Sequence, residues 1–393
     1  MKKLKATEHS EKISFYAAIS AIYFMCMPLS IVPLPGGFSL LKFLSIFCGG
    51  ALVLALFIGE ETEIRFNILH LFIGLYLIYS ISSLFLLSNE NAWVNLRGII
   101  ETTALLYLVT IRVYNQREKK LLIDSWLIAG IITVAAMFIS GVGVGTSERL
   151  TINIGGGSED PNQLCGYFFA PMLICMDRVS KKSKIGILYV ILMLVMIYIS
   201  FTTGSRGGLV AIFGTIVTYI FVVVKGVYNK LKVLIVLLLV FAIFFSVLFP
   251  LLPESVRERM KVESVIEDRG SGRFDLWEIV YKAITKNNKS LIFGYGLGST
   301  TDILLNAGVY NTVAHNHWLQ IWCDQGFIGL MLFLAVLLIG GFRSLSDNKI
   351  IAVSLFGMLL LSMSLTLYAS YKPFWNILMM SAMNYEGVFN AEK

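Results

Sequence analysis

Twelve stretches of this 393-residue chain stay apolar for much of the length of a bilayer-crossing helix. About 20 apolar residues in a helix cover ~30 Å of hydrocarbon. In lipid every backbone N–H and C=O must be satisfied within the protein, which leaves helices or closed barrels. Barrel strands alternate apolar and polar residues over ~10-residue segments, and these stretches are continuously apolar. The composition agrees, with 56% hydrophobic and only 15% charged residues, where soluble domains carry roughly 25% charged. The expected fold is all-α and polytopic, with about 12 transmembrane spans near 13–33, 38–58, 67–87, 95–111, 121–140, 162–177, 185–201, 207–224, 233–250, 315–340, 350–369 and 373–386. The first stretch is long, has no small-residue cleavage site and is followed at once by another, so it reads as a retained helix rather than a signal peptide. Residues 1–393 form one transmembrane domain in this reading, with a single long loop at 251–314.

Lys and Arg orient such a chain, because short cytoplasmic loops are enriched in them. With the N-terminus in the cytoplasm, alternate loops collect Arg65, the Arg112–Lys120 group, the Arg178–Lys184 group, Lys225 to Lys232, Arg343 and Lys349. With the two termini, that side holds 19 of the 32 basic residues, and the opposite short loops hold five: Lys42, Arg97, Arg149, Arg206 and Lys372. Both termini are then cytoplasmic, and the formal charge of +7 is a topology signal rather than a nucleic-acid footprint. The five cysteines, Cys26, Cys48, Cys165, Cys175 and Cys323, lie in or beside apolar stretches without metal-ligand spacing and read as packing thiols.

That orientation gathers the unusual polar segments on one side. "GGGSEDPNQLCGYF", "TTGSRGG", "SGRFDLWEIVYKAI", "LIFGYGLGS" and "AHNHWLQ" all fall on the outer face. Asp160 followed by Pro161 fits a helix cap. Arg206 follows a glycine turn and can anchor to phosphate. The apolar spacing from Phe274 to Ile284 predicts an amphipathic helix within the loop, with Arg273 at its start, where a helix N-terminus and a guanidinium suit an anion. "GYGLGS" precedes no βαβ unit and reads as a flexible turn. His315 and His317 are two apart and do not share a helix face, so no metal site is expected. A neutral imidazole at the aqueous lip suits general-base work. Asp160, Asn316 and Asp324 are candidate supports or acid/base groups, Asp324 lying about two and a half turns deeper along the helix.

"SRGG", "SGR" followed by a Trp and "FGYGLGS", and "HNHWLQIWCDQGFIGLMLFL" together resemble the O-antigen ligase/polymerase superfamily of bacterial membrane glycosyltransferases, over roughly residues 150–340. Members often carry Glu at the position of Asp324. The resemblance implies a GT-C-type, inverting, metal-independent enzyme without cofactors in the bacterial inner membrane, with a periplasmic active site and a periplasmic 251–314 loop containing short helices. Its donor would be an undecaprenyl-pyrophosphate-linked oligosaccharide, with His315 as base and Arg206, Arg273 and Arg97 as pyrophosphate ligands. "EDPNQ" looks more like a polymerase, which extends another lipid-linked repeat unit, than a ligase, which transfers to lipid A–core. Membrane lipids are further partners, with a polysaccharide chain-length regulator as an optional one. A lipid-linked-glycan flippase is the reading of another class; it calls for charges lining a path through the helices, where Asp324 and Glu101 are the candidates.

Overall fold

The computed structural model describes residues 12–34, 38–57, 63–86, 90–142, 151–154, 157–158, 160–181, 184–261, 264, 270, 272–310, 313–367 and 371–386. The chain is mostly helical. The bundle opens with α1 (Phe15–Met25), α2 (Leu40–Phe57), α3 (Ile68–Ser82), α4 (Glu90–Thr110) and α5 (Gln116–Ser140). It continues with α6 (Pro161–Leu164), α7 (Phe169–Ser180), α8 (Gly186–Thr202), α9 (Arg206–Val222) and α10 (Val227–Ile243). Short helices follow in the long loop: α11 (Glu254–Arg259), α12 (Arg273–Ile284), α13 (Asn288–Phe293) and α14 (Ser299–Asn306). The last three are α15 (His317–Asp347), α16 (Lys349–Ser362) and α17 (Lys372–Ala382).

Every one of the twelve apolar stretches contains helix. Among the described residues, five helices are long and apolar enough to cross a membrane by length and composition: α2, α3 with its final turn to Phe85, α5, α10 with its continuation to Leu251, and α15. The stretch at 162–177 is divided, because α6 gives way to a 3-10 turn at Cys165–Phe168 before α7 begins. Gly166 lies in that turn, and a side chain there would collide with the Tyr371 hydroxyl. The helix of the 350–369 stretch stops at Ser362, leaving Met363–Leu367 to cross the end of the bundle as irregular chain.

The basic loops meet at one end. Asn384 donates from Nδ2 to the Arg65 carbonyl at 2.7 Å, and β1 (Val113–Tyr114) pairs in parallel with β2 (Asn384–Tyr385). Lys119 Nζ donates to the Asp347 carbonyl at 2.6 Å. Buried Glu118 takes the Ser14 N–H at 3.0 Å and the Asn115 N–H at 2.9 Å. At the opposite end two of the polar segments touch, with Cys165 Sγ 3.7 Å from Thr203 Oγ1. There the Ser30 and Tyr167 hydroxyls lie 2.9 Å apart, and the Tyr371 hydroxyl donates to the Gln163 carbonyl at 2.6 Å. The expected orientation has a direct check. A single cysteine at exposed Lys282 on α12 should react with a membrane-impermeant thiol reagent in spheroplasts. One at exposed Lys181 should stay unlabelled until the membrane is opened. Labelling at 181 from outside would reverse the orientation.

Candidate active site

The helix after His315 does not simply descend. Gly326 interrupts α15 with φ 66° and ψ −171°, a backbone region essentially reserved for glycine. In a straight helix His317 and Phe333 would be about 24 Å apart at 1.5 Å per residue. Their ring centroids are instead 4.9 Å apart, and Trp318 stands 6.0 Å from the same phenyl ring. The arm from His317 to Gln325 therefore folds back along the helix that follows Gly326. This overturns the depth expected for Asp324. Asp324 sits beside the reversal, and His315 stands at the far end of the arm.

The arm is tied at both ends. At the reversal, the Asp324 carboxylate is buried and accepts four hydrogen bonds: from Gly298 N at 3.0 Å, Ser299 Oγ at 3.1 Å, Thr300 N at 2.8 Å and Thr300 Oγ1 at 2.6 Å. Backbone bonds from Tyr295 N to the Cys323 carbonyl (3.0 Å) and from Gly296 N to the Asp324 carbonyl (2.8 Å) complete the clasp. The "GYGLGS" segment, expected as a flexible turn, is thus locked to α15. At the other end, Asn316 caps the arm, its Oδ1 accepting from Trp318 N at 3.1 Å and Leu319 N at 3.2 Å. Gln320 Oε1 accepts from Ala314 N at 3.2 Å and from Thr366 Oγ1 at 3.1 Å. His317 is buried against Phe333 and Phe374, and its Nδ1 accepts from Leu367 N at 3.3 Å. These bonds make His317 a packing and anchoring residue.

His315 is held between the capped arm and Ala314, whose carbonyl accepts from Trp277 Nε1 of α12 at 2.9 Å. Its φ is 49°, the left-handed region, and no other non-glycine described residue has a positive φ. Such a conformation costs about 1–3 kcal/mol and persists only where the surroundings impose it. Its Nδ1 is buried without a hydrogen-bond partner among the described residues. Burial and the Arg273 guanidinium hold the imidazole below its ordinary value, with the Asp160 carboxylate pulling the other way. His315, Arg273 and Asp160 are therefore electrostatic neighbours, though the chain separates them widely.

Arg273 is the first residue of α12, after Gly272 in the left-handed conformation (φ 73°). The helix forms as its spacing predicts, burying Leu276, Val280 and Ile284. Asp160 caps α6, its Oδ1 accepting from Asn162 N at 2.6 Å and Asn162 Nδ2 at 2.7 Å. Arg206 opens α9 after the Gly204 turn, with Ser205 Oγ accepting from Gly208 N at 3.1 Å. Gly207 and Gly208 let α9 press against Ser364 and Cys165. Arg206 thereby borders both the Asp160 segment and the 363–367 crossing that anchors the histidine arm. Arg97 lies elsewhere, on α4, with its Nε donating to Glu101 at 2.8 Å. No group of three or more His, Cys, Asp or Glu side chains with metal-binding geometry occurs among the described residues.

A membrane-associated helical bundle with a strained histidine, cations and a carboxylate at one end defines the class. The comparison with known families narrows it. Residues 190–334 match the family model described as O-antigen ligase. That stretch contains Arg206, Arg273, His315, Asn316 and Asp324. The match supports the O-antigen ligase/polymerase superfamily, whose members are membrane glycosyltransferase-like enzymes of O-antigen biosynthesis. No curated protein matches the chain.

Proposed function

We propose that this protein is an O-antigen polymerase: a twelve-span, GT-C-type enzyme of the bacterial inner membrane working at its periplasmic face. It moves a glycan from undecaprenyl pyrophosphate to a hydroxyl of a second lipid-linked repeat unit. The observation that carries the reading is His315, held in a strained conformation beside Ala314, whose carbonyl is bound by Trp277 of α12, with Arg273 and Asp160 near enough to act on its charge; His315 and Arg273 lie inside the family match.

In the proposed reaction, neutral His315 takes the proton of the acceptor hydroxyl. The oxygen attacks the anomeric carbon opposite the pyrophosphate. The bond from that carbon to the phosphate oxygen breaks, its electron pair leaving with the pyrophosphate, and the configuration inverts. Arg206 and Arg273 balance the charge on the leaving group, the kind of fixed electrostatic stabilisation that transferases rely on. Asp160 compensates the imidazolium that forms. A buried ring nitrogen without a protein partner costs about 1–3 kcal/mol, and an acceptor hydroxyl would supply the partner for His315.

Polymerase is supported by the "EDPNQ" segment that opens α6. The description of the matched family favours a second reading, ligation to lipid A–core. Purified protein offered lipid-linked repeat unit and lipid A–core separately decides between them: extension of the repeat unit is expected, and exclusive transfer to lipid A–core would establish the ligase. A flippase is poorly supported, because Asp324 is committed to four hydrogen bonds and Glu101 to Lys42 and Arg97.

The arginine role has its own test. Arg206→Lys keeps a charge but loses the planar fork that holds two phosphate oxygens. Turnover should fall at least about tenfold, the worth of one charge-assisted hydrogen bond, at normal membrane levels. Unchanged turnover would reduce Arg206 to a headgroup anchor. EDTA should leave the rate unaltered.

A further inference from the structure

The left-handed conformation of His315 has a cause in the peptide before it. A peptide unit is planar, and the φ of a residue sets its Cα against the plane that precedes it. For His315 that plane carries the Ala314 carbonyl. Trp277 Nε1 donates to this carbonyl at 2.9 Å, so the indole fixes the plane directly. The Ala314 N–H donates to Gln320 Oε1 at 3.2 Å, and the same oxygen accepts from Thr366 Oγ1 at 3.1 Å. After His315, the Asn316 side chain caps the arm through Trp318 N and Leu319 N. The backbone is thus gripped before and after His315, and a φ of 49° is what joins the two grips.

Gln320 and Asn316 belong to the arm itself. Trp277 comes from α12 in the long loop, one turn after Arg273. Residues four apart on a helix share a face. One helix therefore supplies both the guanidinium that acts on the His315 charge and the N–H that holds its backbone. That helix is firmly seated: Leu276, Val280 and Ile284 are buried in one cluster with Leu304, Cys323 and Ala314 itself. Phe274 meets the indole edge to face, with ring centroids 5.4 Å apart. Ala314 is fully buried, so water cannot stand in for the indole. A buried carbonyl without a donor is costly, and so is a left-handed histidine. Once the Trp277 N–H is gone, a single turn of the 314–315 peptide relieves both.

We propose that Trp277 is the positioning residue of the base: its N–H holds the Ala314 carbonyl so that the His315 ring stands where the acceptor hydroxyl arrives. This rests on the reading of His315 as general base. Proton transfer needs the ring nitrogen within about 2.6–3.2 Å of the hydroxyl, and a turned peptide carries the ring out of that reach. Because the clamp and Arg273 share α12, the helix that meets the donor also readies the base.

The test separates the N–H from the bulk of the ring. Trp277→Phe removes the donor and part of the ring. Benzothienylalanine at the same position puts sulfur in place of the N–H and keeps the shape. Each variant is prepared as the full-length protein in phosphatidylethanolamine nanodiscs. Turnover is measured with the lipid-linked oligosaccharide that accumulates in cells lacking this chain, and binding with undecaprenyl diphosphate. Both variants should lower kcat about tenfold, the worth of one buried hydrogen bond. Donor KM and undecaprenyl diphosphate binding should not change, because Arg273 stays seated. In a His315→Asn background neither variant should lower the residual rate further, since a residue that acts only through the imidazole then has nothing to position. A merely structural tryptophan would lower both rates alike. Full kcat with benzothienylalanine would overturn the proposal, as would an equal loss in both backgrounds or trypsin cleavage within 251–314 of the benzothienylalanine protein. Full kcat there beside an inactive His315→Asn would sink the positioning role and leave the base in place. A fully active His315→Asn would remove the base itself, and this inference with it.

Discussion

Replacing His315 by Asn should cut glycan transfer by about 10²–10⁴-fold, the usual worth of general-base catalysis, while donor binding persists. Asn is the informative substitute because of the backbone. His315 has φ 49°, and Asn tolerates the left-handed region far better than Ala does. His315→Ala would mix lost chemistry with backbone strain, whereas His315→Asn removes the imidazole alone. The pH profile gives a second handle. The base works in its neutral form, so the rate rises with pH through the His315 pKa and then levels. Burial and Arg273 place that pKa below the ordinary histidine value, so the plateau should already be reached at neutral pH. Asp160 opposes that shift. Asp160→Asn should therefore move the rise to still lower pH while leaving the α6 cap nearly intact, since Asn caps a helix about as well as Asp. The measurement is donor binding and turnover against pH for wild type, His315→Asn and Asp160→Asn in the same lipid. A fully active His315→Asn beside an inactive, folded Asp160→Asn would transfer the base to Asp160. His317→Ala should act mainly on stability, since that ring fills space between Phe333 and Phe374.

How far the sequence carries is visible in particular residues. Apolar stretch length is a local property set by the solvent, and helix appears in all twelve stretches because lipid or protein interior permits little else. The α12 helix was legible from the spacing of Leu276, Val280 and Ile284, and the Asp160 cap from the proline after it. Loop charge alone gathered Asp160, Arg206, Arg273 and His315 on one side, and the bundle places their segments at one end. The reversal at Gly326 was not legible, since "DQGFIGL" is compatible with an unbroken helix. Only the contact of Gly326 with the Gly294 segment shows why a glycine is there. Depth arguments along a helix fail wherever such a break occurs, and the depth assigned to Asp324 failed for that reason. The ion pair of Lys42 with Glu101 was equally hidden, because the two residues come from different helices.

Removing the Asp324 carboxylate should have the largest effect on the fold itself. Asp324→Ala leaves Gly298 N and Thr300 N, both buried, without their acceptor. At about 1–3 kcal/mol for each orphaned donor, those two alone cost about 2–6 kcal/mol. A helical domain has only about 5–15 kcal/mol to lose. The damage should be local first, because the clasp joins the long loop to α15. Residues 294–300 should come free, and trypsin should cut within 251–314 in membranes where wild type resists. Gly326→Ala should act on the same clasp from the other side. An alanine Cβ there would collide with the Ile292 carbonyl oxygen and sit 2.5 Å from Gly294 N, in a backbone conformation that alanine avoids. Ser299→Ala removes a single 3.1 Å bond and should cost only about 1 kcal/mol, leaving the loop protected. Membrane abundance and trypsin resistance are the two readouts, taken before any activity assay. If Asp324→Ala accumulates normally, keeps its loop protected and yet transfers no glycan, Asp324 is part of the chemistry, and the clasp does not depend on its charge.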